Sequence, residues 1–320
     1  MVGTIDERSE ASTSRIIVDK DADCERLGIK KPLFICAPMV RYSKLPFRKL
    51  VSMYNVDLCF TPMLYAIGYS LSEECRADAF DFTDFPIVQF AAKDPIVFAN
   101  ATEIVYGQGV RGVDLNCGCP KSDVRKEGVG SKLLEDPQLI CDIVKQARAR
   151  VPDPAFTMST KIRIKYPIER SVDLCRQLES AGVDFISVHG RTINMHREPA
   201  DYEAIKLIKS SVKVPVYANG GCKTYEEALN IAKLTGADGI MAAEGLLANP
   251  ALFAGHPKTP VSCVEDWFDI GKELGIPSSL FHKHFSFMSR SMFKKKERIE
   301  FSEILNPDAI VARFSELKFV

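Results

Sequence analysis

Between Pro32 and Phe253 the chain alternates short apolar, β-branched runs with longer stretches of helical period. Eight runs read as strands: Leu33–Ala37, Val56–Thr61, Ile87–Phe90, Gly112–Asn116, Thr157–Arg163, Phe185–His189, Pro215–Asn219 and Gly239–Ala242. Helical patterns lie between them at Pro46–Tyr54, Pro95–Tyr106, Pro137–Arg150, Glu169–Ala181, Tyr202–Ser210 and Tyr225–Thr235, while Leu64–Asp84 carries the poorest pattern. Such alternation implies parallel strands, because each crossover helix returns the chain to begin the next strand at the same end. Eight units in about 220 residues suit a TIM (β/α)8 barrel, for which about 250 residues are typical. A doubly wound sheet is the alternative. The barrel is favoured by polar residues at successive strand C-termini: Gln89, Asn116, Lys161, Arg163, His189, Arg191 and Asn219. A barrel gathers all of these on one face, the face where barrel enzymes do their chemistry.

Three segments follow from this rhythm: a polar N-terminal tail at residues 1–31 with room for one short helix, the barrel at 32–254, and a helical appendage at 255–320. The appendage reads as three helices, Val264–Gly275, Leu280–Phe293 and Ile304–Phe319, with the run Lys294-Lys295-Lys296 among them. A piece this short has little core of its own.

Lys+Arg and Asp+Glu balance at 42 each. Bulk charge therefore gives no sign of nucleic-acid binding, and RNA contact would need a local basic surface. The ten cysteines are irregularly spaced, no Cys-x-x-Cys occurs, and the five histidines complete no zinc pattern, so no metal is expected. Reduced thiols are the default for such a chain, which points to the cytoplasm or nucleus. The N-terminus has no apolar signal region, and no apolar run reaches membrane-span length, so no membrane partner is expected.

The candidate chemistry lies at the strand ends. Residues i and i+2 of a strand share a face, which pairs Asp114 with Asn116, Lys161 with Arg163, and His189 with Arg191. A single cation at a strand end is as readily a satisfied ion pair as a functional group. Four on adjacent strands point to something anionic or electron-rich between them. Asn219-Gly220-Gly221 and Ala242-Ala243-Glu244-Gly245 follow the seventh and eighth strands, the usual phosphate site of barrel enzymes. Cys119 falls at the start of a loop, before Pro120, while Cys117 suits packing behind the strand. Beyond Cys119, Gly128 and Gly130 offer hinge freedom to a segment carrying Lys121, Arg125, Lys126 and Lys132.

Together these residues resemble the tRNA dihydrouridine synthase family over Pro32 to Phe253, with weaker similarity in the helical tail. Ala37-Pro38-Met39-Val40-Arg41 resembles that family's first FMN-contacting turn, and Gln89 its flavin-facing glutamine. Asp114 to Pro120 resembles its signature, in which the cysteine before proline is catalytic, and Lys161-Ile162-Arg163 its Lys-x-Arg strand. Val188 to Thr192 resembles its His-Gly-Arg-Thr turn, and Asn219-Gly220-Gly221 its phosphate turn. Arg41 to Arg48 resembles the eukaryotic branch acting at D-loop positions 20a and 20b.

The resemblance implies an oxidoreductase in which NADPH, or NADH, reduces FMN, hydride passes to C6 of a target uracil, and Cys119 protonates C5. It implies that Pro38, Met39, Val40, Gln89, Lys161, His189, Asn219, Gly220, Gly221, Ala243 and Glu244 meet the flavin. Asn116, Arg163 and Arg191 would hold the uridine and its phosphate, and the helical tail would grip tRNA. One position departs: Ala243-Glu244-Gly245 stands where the family carries an arginine between small residues. Weaker FMN binding is the expectation there. Two other readings stay open, a flavin barrel oxidoreductase for a small molecule and a non-catalytic tRNA-binding relative.

Overall fold

The computed structural model of the chain describes residues 20–79 and 82–317. Most of the N-terminal tail and the predicted helix end at Phe319 lie outside these residues. The described part of the tail forms one helix, Lys20–Leu27.

Nine strands form one parallel sheet: β1 (Leu33–Cys36), β2 (Leu58–Cys59), β3 (Leu64–Tyr65), β4 (Ile87–Ala91), β5 (Gly112–Cys117), β6 (Thr157–Arg163), β7 (Phe185–His189), β8 (Val216–Asn219) and β9 (Gly239–Ala242). Their order is β2-β1-β9-β8-β7-β6-β5-β4-β3. The sheet closes on itself where Phe60, just past β2, bridges Ile87 of β4. The Thr61 N–H also donates to the Ile87 carbonyl at 3.0 Å, and Thr61 Oγ1 accepts the Gln89 N–H at 3.1 Å. Eight strands are therefore staves of a TIM-like barrel. β3 is an addition paired to the C-terminal end of β4. It belongs to the poorly patterned stretch, which forms this two-residue strand and the short helices Ala66–Leu71 and Glu73–Ala79.

The crossover helices keep their predicted limits closely, because capping residues sit where the periods begin. Asp94 precedes Pro95–Tyr106 and Asp136 precedes Pro137–Arg150. Each accepts a backbone N–H of the first turn, and each is followed by proline at the first helical position. Thr224 and Glu227 form a capping box at the start of Tyr225–Thr235. Each such cap contributes about 1 kcal/mol.

Strand alternation sorts the core into two parts. Outward residues such as Val88, Leu115, Ile162, Val188 and Ile240 pack under the helices. Inward residues Ile35, Leu58, Phe60, Ile87, Phe185, Tyr217 and Met241 plug the barrel floor, with Phe185 against Tyr217 at 4.4 Å between ring centroids. Above that plug the inward positions turn polar.

The appendage holds four helices where the periodicity predicts three: Val261–Leu274, Ser278–Met288, Lys295–Glu303 and Pro307–Glu316. The second ends early, where the Ser289 hydroxyl donates back to the Phe285 carbonyl at 2.6 Å. Glu297 then accepts the Lys294 N–H at 2.7 Å and starts a separate helix at the lysine run. Trp267, Phe281, Phe285, Phe301 and Phe314 share one core with Leu50 and Tyr54 of the barrel. The appendage thus completes its core on the helix Leu45–Ser52.

Candidate active site

The C-terminal ends of β4 to β9 carry a layer of hydrogen-bonded polar side chains over the apolar plug. Asp114 lies fully buried, accepting from Gln89 Nε2 and from the Ser159 hydroxyl, both at 2.7 Å. Burial pushes its carboxyl up to about 6, partly offset by those two hydrogen bonds and by Lys161. The Gln89 amide is thereby oriented, and its Oε1 accepts from Asn116 Nδ2 at 2.8 Å. Asn116 Oδ1 turns the other way and accepts the backbone N–H groups of Gly118 at 3.1 Å and Cys119 at 2.9 Å. The chain is folded into an Asx-type turn as it leaves β5.

That turn separates the two thiols. Cys117 points outward into the core, fully buried, and its thiol is held well above the usual range by burial. Cys119 is half-buried at the barrel mouth. The segment after it is less open than its glycines suggest. It forms the short helix Ser122–Lys126 and the 3-10 turn Gly130–Glu135, and the Ser131 N–H donates to the Cys119 carbonyl at 3.0 Å.

Lys161 on β6 donates to Asn219 Oδ1 at 2.9 Å, and Asn219 Nδ2 donates to the Met241 carbonyl at 2.9 Å. The ammonium thus meets a neutral oxygen, and no carboxylate pairs with it among the described residues. Burial, with Arg163 adding repulsion, brings its pKa down to about 8. Arg163 donates from Nε to the Gly118 carbonyl and from Nη1 to the Thr192 carbonyl, each at 2.9 Å. His189 is pushed down to about 2, mainly by burial and then by Lys161, Arg163 and Arg191, and so is neutral at any working pH. Arg191 Nη1 lies 3.3 Å from His189 Nε2. An arginine only donates, which makes Nε2 the acceptor and places the ring proton on Nδ1. Arg191 Nε also donates to the Glu198 carbonyl at 2.6 Å.

A cavity of about 490 Å³ opens beyond β7, β8 and β9, with His189, Arg191, Arg197, Lys223 and Glu244 in its walls. The glycines of its floor are required by the protein's own packing and backbone. Gly220 and Gly221 have φ of 116° and 84°, and a Cβ on Gly221 would sit 2.5 Å from the Tyr202 hydroxyl. A Cβ on Gly245 would sit 2.4 Å from the Cys222 carbonyl. Glu244 is exposed at the start of the helix Glu244–Ala248. A narrow backbone cradle between arginines and a lysine suits the phosphate end of a mononucleotide cofactor. The desolvated Lys161 cation suits an electron-rich ring edge, so the residues fit a flavin mononucleotide.

Residues 35–305 match the family described as dihydrouridine synthase. The chain belongs to the dihydrouridine synthase family. It is 54% identical over 269 residues to an uncharacterised tRNA-dihydrouridine synthase-like protein of Caenorhabditis elegans, covering 83% of this chain and 94% of that one. It is 45% identical over 280 residues to a human tRNA-dihydrouridine(20a/20b) synthase-like protein, covering 87% of this chain and 88% of that one. The tRNA-dihydrouridine(20a/20b) synthase of Saccharomyces cerevisiae is 38% identical over 278 residues, covering 84% of this chain and 75% of that one. Among solved structures, an old yellow enzyme homologue from Zymomonas mobilis superposes with a TM-score of 0.52 at 12% identity, over 74% of this chain and 92% of that one. That likeness concerns the barrel fold.

In this dihydrouridine synthase family member the site residues singled out in the sequence converge on one mouth, but their side chains are differently employed. Asn116 has both amide ends engaged, in the Cys119 turn and on Gln89. It positions the thiol segment, and one Nδ2 proton is left for a ligand at the mouth. Asp114, paired with Asn116 in the sequence, anchors the network; Ser159 and Thr61, which the sequence reading does not mark, complete it, although Ser159 shares the inward phase of Lys161. Pro38, Met39 and Val40 follow β1 at the same end, where Ser43 Oγ accepts the Met39 N–H at 2.9 Å. Among the described residues no three metal-ligating side chains converge, and no helix is long and apolar enough to cross a membrane.

Proposed function

We propose that this chain is an FMN-dependent tRNA-dihydrouridine synthase that reduces the C5–C6 bond of uridine at D-loop positions 20a/20b, with NADPH or NADH as reductant. The observation that carries the reading is the half-buried Cys119 thiol, held at the mouth by the Asn116 turn and within electrostatic reach of Lys161 and Arg163. Bound at this mouth and reduced by the nicotinamide nucleotide, FMN would supply the hydride for C6 of the uracil. Cys119 gives its proton to C5, completing the addition of hydride plus proton across the double bond. Asn116 holds the Cys119 backbone, fixing the position from which the thiol would act.

Lys161, oriented through Asn219, would stabilise negative charge on a bound flavin. Gln89, the turn Pro38–Val40 and neutral His189 would hold the ring. Gly220, Gly221 and Ala243 to Gly245, in the wall of the larger cavity, would hold the phosphate through backbone N–H groups. Arg163 and Arg191 flank the place of the uridine. The target base must leave the tRNA stack to reach this depth. Residues 255–320 would contact the folded RNA by shape and phosphates, with residues 32–254 as the catalytic barrel. A tRNA substrate and reduced thiols support a cytoplasmic location, with the nucleus as the alternative.

Mapping dihydrouridine by mass in tRNA from cells lacking this protein tests the proposal. Loss at positions 20a and 20b is expected. Unaltered tRNA, or purified protein that reduces only small molecules, would overturn it.

A further inference from the structure

A second cleft, of about 280 Å³, lies outside the ring of strands beyond the end of β6. One wall belongs to the 3-10 turn Gly130–Glu135, the other to the start of the helix Glu169–Ala181. Arg163, Lys165 and Arg170 line it, against Glu135 and Asp173. Both carboxylates are already answered from outside the cleft. Glu135 pairs with Lys132 at 2.5 Å and with Arg125 at 3.4 Å, and Asp173 pairs with Arg176 at 3.7 Å. Among the described residues no carboxylate forms an ion pair with Arg163, Lys165 or Arg170. Lys165 Nζ donates to the Leu134 carbonyl at 2.9 Å, and Arg163 to the Gly118 and Thr192 carbonyls. Neutral carbonyls satisfy those protons without balancing the charge, so three cations face one hollow with no anion of their own.

The cleft shares its walls with the thiol segment. Arg163 holds the Gly118 carbonyl, and Ser131, in the cleft-side turn, holds the Cys119 carbonyl. Arg163 thus stands between the thiol turn and the cleft, while the ring of strands lies between the cleft and the barrel floor.

We propose that this cleft is a phosphate subsite for the RNA strand, taking a phosphodiester that adjoins the reduced nucleotide, with Arg170 as its exposed cation and Lys165 and Arg163 as its floor. The assignment rests on the reading of the chain as a tRNA-modifying enzyme. A nicotinamide dinucleotide carries the same phosphate chemistry, and the test separates the two sources.

The full chain is titrated with its tRNA over a series of salt concentrations, alongside Arg170→Gln, Arg170→Lys and, as a control of equal charge change, Lys233→Gln on the helix Tyr225–Thr235. Arg170→Gln is expected to weaken tRNA binding about 5–10-fold and to lower the slope of log K against log salt by about 0.7–0.9, the loss of one phosphate contact. Arg170→Lys should recover most of both, and Lys233→Gln should keep the native slope. Native slope and affinity in Arg170→Gln would overturn the subsite. So would an effect seen as weaker NADPH binding with tRNA binding intact. A wild-type chain that binds no tRNA would overturn the functional reading itself, a result distinct from either.

Discussion

Asn116 holds Cys119 through its backbone: the amide oxygen of the first accepts the N–H of the second at 2.9 Å, and that of Gly118 at 3.1 Å. The same amide's nitrogen is fixed on Gln89, which is fixed on the buried Asp114. A chain of oriented polar groups thus runs from the barrel interior to the thiol. Its rigidity comes from the cost of leaving any buried member unpaired.

The two neighbouring thiols should behave oppositely. Cys119→Ala is expected to slow dihydrouridine formation by at least about 100-fold, the usual contribution of a positioned proton donor, while the protein still binds flavin. Cys117→Ala removes a buried sulfur and should lower stability by about 1 kcal/mol with turnover retained. Turnover assays and denaturant melts on both variants check this, and full activity in Cys119→Ala would remove the proton-donor assignment.

Asn116→Ala leaves two backbone N–H groups and the Gln89 oxygen without their partners. A stability loss of about 2–3 kcal/mol is expected, together with a fall in turnover of roughly 10–100-fold from a misplaced thiol. Asn116→Asp keeps the acceptor for Gly118 and Cys119 and should recover part of the turnover. Equal activity of Asn116→Ala and wild type would show that the turn does not position Cys119.

Lys161 should leave a pH signature in the flavin-free protein. Its folded pKa of about 8 lies below the ordinary lysine value of 10.5. Below pH 8 both folded and unfolded chains hold the proton, so the penalty of burying the charge is fully present. It fades as pH rises from 8 to 10.5, where only the unfolded chain stays protonated. Lys161→Met should therefore be more stable than wild type at pH 7, by on the order of 2 kcal/mol, with the advantage mostly gone by pH 10. Urea melts at the two pH values decide it; a difference independent of pH would mean the ammonium is not desolvated.

Glu244 places a carboxylate in the wall of the cavity whose backbone cradle suits a phosphate. Glu244→Arg should bind FMN roughly 5–10-fold more tightly, as expected for replacing a repulsive by an attractive charge at a partly exposed site. Flavin fluorescence titration reads this directly, and equal or weaker binding in the variant would show that the native side chain turns away from the phosphate.

Much of the barrel is legible residue by residue. Pro95–Tyr106, Pro137–Arg150, Glu169–Ala181 and Tyr225–Thr235 begin and end where the sequence predicts, because their caps and periods are local. Strand β3 and the short helices after it are not legible, since a two-residue strand carries no period. The periodicity misses one helix of the appendage for a related reason: the break at Ser289–Lys294 rests on a side-chain bond to the preceding turn and on a new cap, both weak in periodicity.

By itself the sequence determined the alternation of strands and helices, the phase that turns Gln89, Asn116, Lys161 and His189 inward, and the separation of Cys119 from the buried Cys117. These follow from spacings of two and of three to four residues, which any stretch of chain expresses alone. Only the tertiary structure decided that the ring closes at Phe60 and Ile87, that Asn116 serves the thiol turn, that Arg163 reaches Gly118 and Thr192, and that His189 stays neutral. The closure and the Arg163 contacts join residues 27 to 45 positions apart, and the state of His189 depends on how much water the finished barrel excludes. Neither is a property of any short segment.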